Sequence, residues 1–113
     1  MLKSRPPELT QAIRLIKKNY NDKLELDELA EIVSVNKYNL IRMFKKYMNH
    51  TPYEYLMYYR VQKAKSMLAE TLLSVNEISR AVGIGNVSYF IKVFKNYENV
   101  TPAQYQRNIK EKG

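Results

Sequence analysis

The chain has 113 residues, 45% hydrophobic and 27% charged, which suits one compact domain or two half-size lobes. Nineteen Lys and Arg against eleven Asp and Glu give a formal net charge of +8, which favours a polyanionic partner, nucleic acid before membrane. The absence of cysteine excludes disulfides and thiolate metal sites. No apolar run reaches the roughly 18 residues of a membrane span, and the N-terminal MLKSRPPE lacks a signal-peptide core, so a cytoplasmic protein is expected.

The first three predicted elements are helices. Apolar residues from Leu9 to Tyr20 recur at helical spacing after Pro6-Pro7 and predict an amphipathic packing helix. A short helix is expected over about 26–33, followed by a two- or three-residue turn and Asn36, a good N-cap. The next helix, about 37–48, has an apolar stripe on one side and polar or basic side chains on the other.

A long helix is predicted from Pro52 to about Ala69. It begins with a capping box, in which Thr51 is the N-cap and Glu54 reaches back to the cap amide. We expect this helix to join two lobes and to supply core side chains to both. The expected core residues are Tyr55, Leu56, Tyr59, Ala64, Met67 and Leu68.

The sequence of the C-terminal half predicts the same succession of elements. Ser74 and Glu77 form a second capping box, and Gly83 stands where a helix end favours left-handed backbone. Asn86 caps a helix that extends to about Tyr97, and Thr101 begins a last helix. The sequence therefore predicts an all-α fold of seven helices.

An internal repeat relates the two halves. Residues 36–55 align with 86–105 at an offset of fifty, and nine of the twenty positions are identical. Each copy has two short helices at a tight turn, and the second helix has a polar or basic outer face, as in a helix-turn-helix. The prediction is a homeodomain-like tandem in a single chain, 1–113. Its parts are a first helix-turn-helix subdomain at about 8–50, a connecting helix at about 52–69 and a second subdomain at about 74–109.

Two predicted recognition helices, about 37–48 and about 87–97, carry the candidate DNA-binding residues. Base reading needs side chains on the outer face, and phosphate neutralisation needs cations near the backbone. Arg42 is the best candidate for bidentate contact with guanine O6 and N7, and Tyr38 and Ile41 flank it. The other candidates are Lys37, Asn39, Lys45 and Lys46 in the first helix, and Val87, Ser88, Tyr89, Ile91, Lys92 and Lys95 in the second.

The second recognition helix is the less basic of the two. Lys92 stands at the position of Arg42, and lysine lacks the planar fork of arginine, so we expect this half to read less sequence. Lys45 and Lys95 are identical in both copies, which favours contact with phosphates. For any single lysine a solvated surface charge remains an alternative, and Tyr89 is compatible with partial burial in the core.

No catalytic or metal-binding pattern can be assembled from this sequence. His50 has no acidic or histidine partner at ligand spacing, and there is no Ser/His/Asp set or glycine-rich phosphate loop. We expect no enzyme activity, no cofactor and no metal. Four acids between Glu25 and Glu31 suit the start of a short helix, and a surface that faces RNA polymerase or a partner domain is the alternative.

The chain resembles the DNA-binding domain of the AraC/XylS transcriptional regulators over about Leu9–Tyr105. The residues that carry the resemblance are Leu29-Ala30, Leu40, Phe44-Lys45, Tyr55-Leu56, Arg60, Ala64, Met67-Leu68, Val82-Gly83-Ile84, Ser88-Tyr89-Phe90, Phe94-Lys95, Thr101-Pro102 and Tyr105. The resemblance implies a bacterial, nucleoid-associated transcription factor whose two recognition helices read successive major grooves of promoter DNA. The departures are Asn49 and Asn99 for the usual glycine, Ile84 for phenylalanine and Ser79 for alanine.

Two other functions stay open from the sequence. One is a basic helical protein-interaction module without sequence-specific DNA binding. The other is an RNA binder, which is disfavoured because no sheet with exposed aromatic residues is predicted. RNA polymerase and an effector or dimerisation domain absent from this chain are the further partners considered, and no membrane partner is expected. The chain is compatible with a stand-alone regulator and with the C-terminal part of a longer sensor.

Overall fold

The computed structural model describes residues 4–112, so Gly113 and the first three residues of the MLKSRPPE segment lie outside the described part. Within that part there are seven helices and no strand, which confirms the predicted all-α class. The helices are α1 (Pro7–Asn19), α2 (Leu26–Ile32), α3 (Lys37–Met48), α4 (Pro52–Glu70), α5 (Val75–Ala81), α6 (Val87–Glu98) and α7 (Pro102–Lys112). None of them is long and apolar enough to cross a membrane.

The chain divides into two compact units, and the boundary falls inside α4. The first unit ends at Leu56 and the second begins at Met57. The start of α4 therefore belongs to the core of the first unit, and the rest of the helix belongs to the second.

The first unit is built around α1, α2, α3 and the start of α4. Leu9, Ala12, Leu40 and Phe44 are fully buried in one apolar cluster. Tyr55 of α4 is also buried, and its ring centroid lies 5.9 Å from that of Phe44. This aromatic pair fixes the inner side of α3 against the helix that follows it.

The second half of α4 has the role in the second unit that α1 has in the first. Val61 and Ala64 are fully buried, as are Leu9 and Ala12, which stand 52 residues earlier. The repeat therefore extends further than residues 36–55 and 86–105. Each unit has three helices followed by one more, which is the start of α4 in the first unit and α7 in the second.

The same aromatic contact recurs in the second unit. Phe94 of α6 and Tyr105 of α7 have ring centroids 5.7 Å apart. They stand fifty residues after Phe44 and Tyr55. Both recognition helices are thus held by an equivalent edge or tilted ring contact on their buried side.

Capping boxes fix where three of the helices begin. In each box the N-cap hydroxyl accepts a hydrogen bond from the N3 amide, and the N3 side chain accepts one from the N-cap amide. The pairs are Thr51 with Glu54, Ser74 with Glu77, and Thr101 with Gln104, at 2.8–3.2 Å. The hydrogen bonds from the cap residues hold the pKa of Glu54 and of Glu77 below the ordinary value.

The turn between the two helices of each motif has the same hydrogen-bond pattern. Val35 N donates to Ala30 O at 3.0 Å, and Ile84 N donates to Ser79 O at 2.9 Å. This pattern requires a left-handed residue just after the helix. Gly83 takes that position in the second unit with φ of 91°, as predicted, but Ser34 takes it in the first with φ of 60°.

Exchanging these two residues tests the strain at the turn. Ser34→Gly should raise the free energy of unfolding by about 0.5–1 kcal/mol, because relief of left-handed strain exceeds the extra chain entropy of glycine. Gly83→Ser should lower it by about 1 kcal/mol. Urea unfolding followed by circular dichroism measures both. A loss of stability in Ser34→Gly would contradict this account of the turn.

An ion pair in the second unit stands where the first unit has two apolar residues. Lys65 Nζ lies 3.1 Å from Glu98 Oε1, with the side chains only 28% and 17% exposed. The ammonium group also lies 5.8 Å from the centroid of the Tyr105 ring. The corresponding residues of the first unit are Ile13, which is buried, and Met48, which packs against the apolar cluster.

Replacing Lys65 and Glu98 by the apolar residues of the first unit tests how far the attraction within the ion pair offsets the cost of desolvating the two charges. Glu98→Met alone should lower the free energy of unfolding by about 1–2 kcal/mol, because the ammonium group of Lys65 loses its carboxylate partner. The double variant Lys65→Ile, Glu98→Met should return to within about 1 kcal/mol of the original chain. Thermal and urea unfolding of the singles and the double give the coupling energy. Additive losses would show that the two side chains do not depend on each other.

Candidate nucleic-acid interface

Asparagine side chains set the start of both recognition helices. Asn36 Oδ1 accepts a hydrogen bond from Tyr38 N at 2.8 Å, and Asn86 Oδ1 accepts one from Tyr89 N at 2.9 Å. The predicted N-caps are confirmed. Because the cap lies directly before the first helical residue, it also fixes which side chains occupy the outer face of the first turn.

Asparagine also ends both helices. Asn49 and Asn99 adopt left-handed backbone with φ of 60° and 65°. Their backbone N–H groups donate hydrogen bonds to Lys45 O and Lys95 O, respectively. Asparagine tolerates this conformation better than other non-glycine residues. The departure from the glycine usual in the resembled family therefore leaves the helix end intact.

The outer face of α3 is polar, cationic and centred on Arg42. Leu40 and Phe44 bury the opposite side. Tyr38, which is 60% exposed, Arg42 and Lys45 lie within about 60° of one another at 100° per residue. Among the remaining candidates, Asn39 and Lys46 are exposed, while Lys37 and Ile41 are half-buried.

The charge of this face is available for an anion. α3 contains four cationic residues and no acid. Within residues 4–112, no acidic side chain forms an ion pair with Arg42. Its guanidinium group can therefore donate two parallel hydrogen bonds to an external acceptor, such as a guanine edge or a phosphate. Lys37 is the exception, since its Nζ lies 3.6 Å from Asp27 Oδ1.

The outer face of α6 has the same geometry with less charge. Lys92 lies at its centre, and Ser88, Tyr89 and Lys95 are exposed around it. Val87 and Ile91 are half-buried at the edges. Two lysines and Glu98 give α6 a formal charge of +1, against +4 for α3.

One exposed residue of this face, Asn96, was not among the sequence-based candidates. It lies on the outer side of α6, fifty positions after Lys46. Its amide can donate to phosphate or to a base edge. The same offset of fifty that paired Lys45 with Lys95 would have identified it.

Metal ligands and cavities are the other features of interest among the described residues. None of their His, Asp and Glu side chains form a group of three or more that could hold a metal ion. A cavity of about 70 Å³ in the first unit is lined mostly by apolar side chains, including Ile16, Leu29 and Leu56.

Comparisons with known proteins agree with this geometry. A family model described as a helix-turn-helix domain matches residues 29–108. The transcriptional regulator ArgR of Pseudomonas aeruginosa is 35% identical over 112 residues, which are 99% of this chain and 34% of ArgR. A transcriptional regulator of Chromobacterium violaceum with an AraC-type DNA-binding domain is 30% identical, with a TM-score of 0.87, over 95% of this chain and 96% of that one.

The fold is also that of the DNA-binding domain of AdpA, whose structure is in complex with a target DNA. The TM-score is 0.89 at 18% identity, over 95% of this chain and 96% of that one. The chain spans 34% to 45% of the length of the first curated relatives it matches. The helix-turn-helix model covers well over half of the chain, and the chain therefore belongs to the AraC/XylS family of helix-turn-helix transcriptional regulators.

Proposed function

We propose that this chain binds duplex DNA in a sequence-dependent way, as the DNA-binding part of a bacterial transcription regulator. Its recognition helices α3 and α6 enter successive major grooves of promoter DNA. The observation that carries the proposal is the repeated outer face, cationic and free of acids at its centre, with Arg42 in one copy and Lys92 in the other. A protein-interaction module has no need for two equivalent faces of this kind.

In the first helix the proposed roles follow from side-chain chemistry. Arg42 reads a guanine edge through O6 and N7, because its planar fork matches these two acceptors. Tyr38 and Ile41 make contacts beside it, and Ile41 is suited to a thymine methyl group. Lys37, Asn39, Lys45 and Lys46 contact phosphates.

In the second helix Lys92 is the central contact, and it discriminates bases less sharply than arginine. Ser88, Tyr89 and the half-buried Val87 and Ile91 border it. Lys95 contacts phosphate. We add Asn96, which is exposed on the same face. The second unit is therefore expected to contribute affinity more than base preference.

Further partners are proposed from the short length of the chain relative to its relatives. A regulator of this kind would combine the present chain with an effector or dimerisation domain, and would act beside RNA polymerase in the nucleoid of the cytoplasm. The acidic helix α2 is a surface for one of these partners. No cofactor enters the proposed DNA contact.

Replacing Arg42 and Lys45 separately tests the division between base and phosphate contacts. Arg42→Ala should weaken binding to a selected duplex by roughly 1–3 kcal/mol and relax preference at one or two base pairs. Lys45→Ala should weaken binding to a selected and a scrambled duplex alike, because phosphates are present in both. Fluorescence anisotropy titrations on both duplexes provide the measurement.

Lys95→Ala is the matched control, since it repeats Lys45→Ala in the second unit. Equal losses for Arg42→Ala on the selected and scrambled duplexes would mean that Arg42 is only a phosphate contact. If the original chain binds both duplexes equally, the alternative of a protein-interaction module gains support over sequence-specific recognition.

A further inference from the structure

The first residue of the first recognition helix is held by an acid of the preceding helix. Lys37 Nζ lies 3.6 Å from Asp27 Oδ1, and the two side chains are 43% and 75% exposed. Lys37 is one of the proposed phosphate contacts. The ammonium group proposed to contact the DNA backbone therefore already has an anionic partner on the surface of the same chain.

The second unit lacks both members of this pair. Asn76 and Val87 occupy the positions that correspond to Asp27 and Lys37, at offsets of 49 and fifty. The Asp27–Lys37 ion pair thus belongs to the unit whose recognition helix has the higher charge, and it has no counterpart at the matching positions of the other unit. The helix-turn-helix of the second unit forms without this ion pair, so the pair is not required for the fold.

Because the ion pair lies at the start of α3, it should affect how a DNA phosphate binds there. Lys37 is the first residue of α3, where the helix dipole attracts phosphate although Asn36 already caps the amide of Tyr38. The carboxylate of Asp27 opposes this attraction in two ways. It competes with phosphate for the ammonium group of Lys37, and it repels a phosphate that approaches the same helix end.

We propose that Asp27 is a positioning residue that moderates the phosphate affinity of the first recognition helix through Lys37. This inference rests on the proposed DNA-binding function. Binding to arbitrary DNA consists almost entirely of phosphate contacts. Asp27 therefore limits how strongly the protein is retained on DNA of any sequence, while the base contact of Arg42 is left unchanged.

Four chains test this inference: the original chain, Asp27→Asn, Lys37→Met and the double variant. Each is titrated with a duplex selected from a random pool on the original chain and with a scrambled duplex of equal composition. Asp27→Asn should tighten binding to both duplexes by up to about fivefold, which corresponds to about 1 kcal/mol at 1.4 kcal/mol per tenfold. In the Lys37→Met background the same substitution should have a clearly smaller effect.

The control is Glu28→Gln, which makes the same charge change in the same helical turn. Glu28 is exposed and forms no ion pair within the described residues. It should change affinity by less than half as much as Asp27→Asn. Asp27→Asn also removes a favourable charge from the start of α2, so its melting temperature should stay equal or fall. Tighter binding without a gain in stability cannot arise from a better-folded protein.

The outcomes separate this inference from the proposed function. Unchanged or weaker binding by Asp27→Asn, an equal effect of Glu28→Gln, or an undiminished effect in the Lys37→Met background would each overturn the role of Asp27. An original chain that binds the selected and scrambled duplexes equally would overturn sequence-specific recognition, while the effect of Asp27→Asn on the scrambled duplex would still be measured. An original chain that binds neither duplex would overturn both.

Discussion

The contact between a phenylalanine of each recognition helix and a tyrosine of the next helix is the interaction on which the remaining features depend. Phe44 meets Tyr55, and Phe94 meets Tyr105, at centroid distances of 5.9 Å and 5.7 Å. Both phenylalanines are fully buried. With this side of α3 and α6 committed to the core, the opposite side must face solvent, and helical geometry then places Arg42 at the centre of the exposed face.

The two units share this aromatic contact, and they differ at positions where more than one residue type can be accommodated. The left-handed turn position is Ser34 in one and Gly83 in the other. At the end of the helix before the turn, Ala30 corresponds to Ser79, whose buried hydroxyl donates to the carbonyl oxygen of Ile84. An ion pair between Lys65 and Glu98 stands where the first unit has apolar residues. The charge of the recognition helices differs as well, so equivalent folds carry outer faces of unequal charge.

Much of this arrangement could be predicted from the sequence, because its signals are local. Capping boxes, asparagine caps and apolar stripes fix helix starts and buried faces within a few residues, and the side opposite the apolar stripe of the first recognition helix identified the outer face with Arg42. The correspondence of α1 with the second half of α4 was missed, because only burial and an offset of 52 relate Leu9 to Val61. The contact between Asp27 and Lys37 was missed for another reason. It depends on how two helices pack around their turn, which no single pattern in the chain encodes.

We propose that one chain reads DNA through two unequal helix-turn-helix units. Selection from a random duplex pool, followed by hydroxyl-radical footprinting of the enriched site, tests it most directly. The account predicts an asymmetric site with two separate protected stretches bound by one copy of the chain. Base preference should be stronger in the stretch whose selectivity is lost in Arg42→Ala. A palindromic site, a single protected stretch, or no enrichment over the starting pool would contradict the account.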